Sequence, residues 1–351
     1  MYTDMEQATH KVRQSNIELL RIISIFMIIL HHLSLHTEWH DSVFETITTQ
    51  YLWIRFILMG GKLGVNIFVL ISGYFLSLKK EGYCKRAFEL WRTILFYSLG
   101  CYGLGLLLGT VRFSGFEILK SFCPVTTVHW WFATTYFILF ILAPFINILI
   151  EKIDIKVYRR MLIIMFVIWS ILPTVTNYTL EGGNITWFMF LYLVGGYIRK
   201  YGLLCEIKTH KIWVLAIAAI LIAFILATVS DYNHITERVF GVVNHNYFYE
   251  MNHVTTCVSS VLIFLCFLRL NINTSRIINL ISPATFGIYL LHDNQCIQHY
   301  LWNDIICAMK YENSLILIPY TIFAAVAVFM VCYLVETIRK NTIERIIQRI
   351  I

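Results

Sequence analysis

Apolar residues dominate ten long runs of this chain, at about 17–36, 52–78, 92–110, 129–150, 160–175, 185–199, 212–230, 254–270, 280–301 and 314–335, and most charged residues lie in the stretches between them or at their ends. Runs of this length and uniformity predict helices that cross a bilayer rather than amphipathic helices on a soluble core. The fold expected is therefore an all-α integral membrane protein, about ten transmembrane helices in one bundle. No Gly/Ser/Pro-rich linker, low-complexity block or internal repeat divides it, so residues 1–351 are expected to form one membrane domain. After the last run, ETIRKNTIERIIQRII (336–351) places isoleucines and basic residues at helical spacing, as expected of an amphipathic tail on the membrane surface.

The first run breaks its own pattern. IELLRIISIFMIILHHLSLH (17–36) carries Glu18, Arg21, His31, His32 and His36. At 100° and ~1.5 Å per residue, Arg21 and His32 share a helix face roughly 16 Å apart. Ionisable groups inside a membrane span are costly and mark candidate functional sites. The polar segment Met1–Asn16 ahead of this run has the outline of a signal peptide's start, but the run is interrupted by charge and no small-residue cleavage site follows. It is expected to stay as the first span.

Composition agrees with the pattern: 58% of residues are hydrophobic and only 14% charged, too apolar for a soluble chain of 351 residues. The net charge of +7 does not imply nucleic acid, because the basic residues sit at the ends of apolar runs. With both termini cytoplasmic, all but six of the 28 Lys and Arg fall on the cytoplasmic side, the exceptions being Arg55, Lys62, Arg112, Lys120, Arg238 and Lys310. Histidines distribute the opposite way. Only His10 and His210 fall inside, while the others, among them His129 before Trp130-Trp131 and His292 before Asp293, fall in outer half-helices or outer loops. They suit either interfacial anchors or the rim of an outward cavity. The aromatic and amide-rich loop Asp231–Asn252 suits sugar stacking and a membrane-interface belt equally.

Nine cysteines show no CxxC and no metal-ligand spacing, and read as small thiols mostly within apolar runs, Cys205 among them. His32, His36 and His40 recur at helical spacing, but no carboxylate or thiolate accompanies them, so no metal is expected. The chain has no Walker loop, HExxH, nucleophile elbow or GxGxxG. Lys85, Arg86 and Arg92, leading into the third run, suit the phosphates of a bulky anionic ligand and equally suit plain membrane topology.

Five stretches, in order, resemble acyltransferase family 3, the multi-pass bacterial enzymes that O-acylate surface sugars. They are ELLRIISIFMIILHH with its Arg-x10-His pair, GVNIFVLISGYF (Gly64–Phe75), HWWFATTYFILFILAPF (His129–Phe145), FLYLVGGYIRK (Phe190–Lys200) and SPATFGIYLLH (Ser282–His292). One departure stands out. The family's Arg-x-x-Arg before the third span has its second arginine in Arg92, but Glu89 occupies the first position, with Lys85 and Arg86 nearby as substitutes. The resemblance implies a bacterial cytoplasmic-membrane enzyme that moves an acyl group, commonly acetyl, from acetyl-CoA or another acyl-CoA to a hydroxyl of a polysaccharide or lipid-linked glycan. It implies His32 as general base and Arg21 as the group that orients the donor or stabilises negative charge, with Glu18 paired to Arg21. Lys85, Arg86 and Arg92 are then the donor-binding residues. Glu18, Asn66, Ser72, His129 and His292 are polar liners of the passage, while Gly64, Gly195 and Gly196 serve packing, as does Ser72-Gly73 on the alternative reading of that pair. The rival is a multi-pass transporter of a sugar or small anion, which would share the helix count but should show paired Gly/Pro helix breaks in two halves. Direct transfer and an acyl-histidine intermediate both remain open, as do the acyl group, the acceptor hydroxyl and the oligomeric state.

Overall fold

The computed structural model describes residues 14–79, 81–178 and 183–345. Lys11, Arg13, Lys80, Arg349 and the rest of the tail beyond 345 lie outside them. All regular structure among the described residues is helical. In order the helices are α1 (Ser15–His36), α2 (Thr49–Leu76), α3 (Tyr83–Leu108), α4 (Gly115–Phe122), α5 (Trp131–Lys152), α6 (Ile155–Phe166), α7 (Leu172–Thr176), α8 (Gly183–Tyr201), α9 (Thr209–Tyr232), α10 (Ile235–Phe240), α11 (Val254–Leu268), α12 (Arg276–Ile281), α13 (Thr285–His292) and α14 (Leu317–Arg339). Seven helical stretches among the described residues are long and apolar enough to cross a membrane: α1, α2, α3, α5, α9, α11 with the turn before it (Tyr247–Leu268), and α14 with its continuation (Leu317–Glu344). Of these, α9 is the most apolar and the least buried. Its Val214, Ile217, Ile222 and Ile225 are more than half exposed, which is the surface an apolar solvent favours.

The ends follow local chemistry. The last turn of α1 is closed by Thr37, whose hydroxyl donates to the Leu33 carbonyl at 2.7 Å while its backbone becomes extended. Thr48 caps α2 by accepting from the Tyr51 N–H at 3.1 Å, and Asp154 caps α6 with bonds from Lys156 and Val157.

Close approach of α1, α2 and α8 builds the centre of the bundle. A Cβ placed on Gly64 would lie 2.7 Å from the Ser24 carbonyl, and one on Gly61 would lie 2.2 Å from the His31 ring. On the other face of α2, a Cβ on Gly73 would sit 2.2 Å from the Tyr192 carbonyl, and one on Gly195 would sit 2.5 Å from that of Leu70. Only a residue without a side chain permits such spacing, the usual device of packed membrane helices. The packing role expected of Gly64, Gly73 and Gly195 is what the geometry shows.

Three expected spans and the tail take other forms. Run 160–175 is helical but is interrupted by a π turn at Val167–Ile171, followed by Pro173. Run 185–199 is the interior of α8, whose Trp187, Phe188, Leu191 and Tyr192 are at most 1% exposed, so protein rather than lipid surrounds them. Run 280–301 is not continuous: α13 ends at His292, and Asp293–Asn294 turns the chain, with Asn294 Oδ1 accepting from the Cys296 N–H at 2.9 Å. The start of the tail continues α14 through Glu344: Glu336 and Arg339, 1% and 4% exposed, are buried in the bundle, while Asn341, Thr342 and Ile343 are exposed. Cys205 is exposed in the loop after α8, not within an apolar span, and all nine cysteines are free.

Candidate active site

At the C-terminal end of α1 a cavity of about 290 Å³ opens between α1, α2, the segment before α5 and the turn after α13. His31, His32 and His36 line it from α1, Lys62 from α2, Trp130, Trp131 and Phe132 from the start of α5, and Asp293, Gln295 and Gln298 from the turn. The helix break after His292 is thus what brings the polar residues Asp293, Gln295 and Gln298 to the cavity wall.

His32 is 7% exposed, and its two nitrogens have different surroundings. Nδ1 lies 2.9 Å from His292 Nε2, and His292 Nδ1 lies 2.6 Å from the Ile288 carbonyl. A carbonyl oxygen can only accept, so His292 carries its proton on Nδ1 and presents a bare Nε2. His32 must then donate from Nδ1, which leaves the lone pair on its Nε2. That nitrogen lies 3.6 Å from Asp293 Oδ1, the oxygen that accepts from His36 Nε2 at 3.2 Å. His31 is turned aside, donating from Nδ1 to the Leu58 carbonyl at 2.5 Å.

Asp293 is the residue sequence reasoning missed: it registered only as the neighbour of His292. The signal available was the His-Asp-Asn-Gln run itself, a turn-forming sequence inside an apolar stretch. With it, donor atoms of His32, His36 and Asp293 lie within 4.8 Å of one another, a set of the kind that holds a metal ion. The carboxylate that the His32/His36/His40 spacing lacked comes from a segment more than 250 residues away. His40 does not join, its imidazole being 2.5 Å from Glu312.

The other candidates separate into two groups. His129 is on the cavity wall, its Nδ1 3.0 Å from Ser98 Oγ, and burial lowers its pKa. His292 lies behind His32, fully buried. Asn66 and Ser72 are elsewhere. Asn66 is fully buried and its amide is used, donating to the Met251 carbonyl at 2.8 Å and accepting from Trp187 Nε1 at 3.0 Å. Ser72 donates to the Phe68 carbonyl and shares a bond with Tyr136 Oη, both at 2.9 Å. These are ties between helices and not cavity walls.

Arg21 is not in the cavity. It sits near the opposite end of α1, paired with Glu18 at 3.2 Å as the helical spacing expects. That same end gathers a second set of charges. Arg92 is paired with Glu344, which also accepts from Arg339 Nη1 at 2.8 Å; Arg339 in turn is bidentate to Glu336 at 2.7 and 3.0 Å. Tyr97 donates to the same Glu336 at 2.7 Å. Lys85 and Arg86 are exposed at the start of α3. Arg339, from the tail, is the basic residue here that the Arg-x-x-Arg comparison did not include.

The family model of the acyltransferase domain, family 3, matches residues 14–337, which takes in both ends of α1 and the His292–Asp293 turn. The chain belongs to acyltransferase family 3. No curated protein and no solved structure matches it. A family-3 acyltransferase with seven helices among its described residues long and apolar enough to span is a membrane acyltransferase, which displaces the transporter reading.

Proposed function

We propose that this acyltransferase moves an acyl group, acetyl in the first instance, from cytoplasmic acyl-CoA to a hydroxyl of a cell-surface or lipid-linked saccharide, as a bacterial cytoplasmic-membrane protein. The supporting observation is the ordered bond from His32 Nδ1 through His292 to the Ile288 carbonyl, which leaves His32 Nε2 as a bare base on the cavity wall. In the reaction the acceptor hydroxyl oxygen attacks the thioester carbonyl as its proton passes to His32 Nε2. The carbon–sulfur bond then breaks, and the leaving thiolate takes the proton back. Asp293, 3.6 Å from that nitrogen, offsets the positive charge the imidazole carries between the two transfers. Trp130 and Trp131 give a sugar an apolar face, and Gln295 and Gln298 give its hydroxyls hydrogen-bond partners.

The donor side is the opposite end of α1. The exposed Lys85 and Arg86, with the partly exposed Arg21 and Arg92, supply the cations that a pyrophosphate needs, and the pantetheine arm runs along α1 toward His32. Arg21, ~16 Å from His32 by helical rise, acts on the donor and not on the proton transfer.

The test is thiol release from acetyl-CoA by protein in nanodiscs, with and without a cell-envelope glycan extract. Glycan-dependent release in the wild type should fall ~100-fold or more in His32→Ala of unchanged thermal stability, the range that loss of a general base gives. Undiminished release in His32→Ala would refute the assignment of the base.

A further inference from the structure

Lys62 stands out among the buried and half-buried cations of this chain. It follows Gly61 on α2, where the helix lies against the His31 ring, so it is level with His31 and His32 within a membrane-spanning helix. A cation at that depth is costly and is normally paired. Other buried and half-buried cations here are satisfied: Arg55 meets Asp231 at 2.6 Å, Arg21 meets Glu18 at 3.2 Å and Arg339 meets Glu336 at 2.7 Å, while Arg269 and Lys200 donate to backbone carbonyls. Among the described residues no carboxylate lies within ion-pair distance of Lys62. Its ammonium lies instead over the face of Trp131, 5.7 Å from the ring centroid. Asp293, the carboxylate of the same cavity, accepts from His36.

The cavity therefore joins a tryptophan face, amide side chains and one uncompensated ammonium. The first two suit a sugar ring, and the third suits an anion attached to it. We propose that Lys62 forms an anion subsite, and that the acceptor is a saccharide carrying its own negative charge, a carboxylate or a phosphoryl group. This rests on the saccharide reading above, and it adds what that reading leaves open, the class of sugar. A neutral sugar would leave the ammonium unpaired in a partly dehydrated pocket. An acidic one pairs it and fixes the orientation of the ring toward His32.

Binding tests the subsite without the acyl donor. The protein in phosphatidylcholine nanodiscs is titrated against methyl glucoside, methyl glucuronide, methyl glucoside 6-phosphate and methyl phosphate, and line broadening of the probe methyl resonance is followed. The wild type should bind at least one of the two acidic sugars about tenfold or more tightly over methyl glucoside, the scale of one charge-assisted bond. Lys62→Gln should abolish the preference and Lys62→Arg should keep it, both at unchanged thermal stability. Methyl phosphate binding as tightly as the acidic sugars would transfer the anion to a lipid headgroup and overturn the proposal. Equal binding of charged and neutral sugars, no binding of any, or a preference that survives Lys62→Gln would overturn it too. The charge preference is independent of transfer: an inactive protein that retains it refutes the assigned reaction and not the subsite.

Discussion

At the scale of single residues, the decisive feature is that a backbone carbonyl dictates the protonation of two histidines. The Ile288 carbonyl can only accept, which fixes His292, which in turn fixes His32. His292 is therefore a positioning residue: it is buried behind His32 and lines no part of the cavity. We predict that His292→Phe lowers kcat with little change in KM and alters the pH profile, because the His32 Nδ1–H loses its acceptor and the imidazole its single tautomer. His292→Gln, with a side-chain oxygen able to accept that N–H, should restore part of the rate. An unchanged kcat and pH profile in His292→Phe would mean that the pair is only packing. Sequence reading reached His32, since an imidazole and a guanidinium inside one apolar run announce themselves. It also reached the Arg21–Glu18 pair, a local contact three residues apart. It did not reach the Asp293 contacts with His32 and His36, because 257 residues separate His36 from Asp293 and nothing in spacing encodes that contact. It misjudged Asn66 for a related reason: a lone amide in a span looks like a pore liner until its partners, Met251 and Trp187, are seen.

At the scale of elements, the apolar runs predicted where helices are but not where they stop. Averaged over twenty residues, 280–301 is apolar enough to span, and the turn chemistry of Asp293–Asn294 is lost in the mean. Yet that turn is what completes the cavity. Helix contacts, by contrast, were legible at Gly64, Gly73 and Gly195, because small residues in a span let helices approach closely. A prediction belongs here. Gly73→Ala would place a methyl 2.2 Å from the Tyr192 carbonyl, a backbone atom that cannot swing away, whereas a Cβ on Gly103 meets nothing within 4 Å. Gly73→Ala should lose roughly 1–3 kcal/mol, as overpacked cores do. Gly103→Ala should be neutral or slightly stabilising, since alanine is the better helix former. Thermal unfolding of both variants in the same detergent checks the contrast, and equal midpoints would refute the α2–α8 packing.

At the scale of the whole molecule, α1 links two unlike ends. One gathers Arg21, Arg92, Arg339 and their acidic partners; the other opens as a cavity of histidines, tryptophans and amides. A donor with several phosphates and a sugar acceptor need such unlike surroundings, and the proposed chemistry requires that a membrane separate them. The chain contains its own reporters of that separation. Cys84 and Cys123 are both exposed, Cys84 in the first turn of α3 and Cys123 just after the short helix α4 that follows it. Twenty-six residues of helix span ~39 Å, more than a hydrocarbon core. In sealed vesicles of one orientation, a membrane-impermeant maleimide added outside should label a variant with Cys123 as its one cysteine, and a Cys84 variant only after the vesicles are opened. Cys205, exposed in the loop after α8 where Arg269 holds the Leu203 and Leu204 carbonyls, should behave like Cys84, because Asn16 at the start of α1 bonds Phe267 and Leu268 beside that arginine. Labelling of Cys84 and Cys123 from one side would place donor and acceptor in the same compartment. The reaction would then need no passage through the membrane, and the basic end would lose its reason to be cytoplasmic.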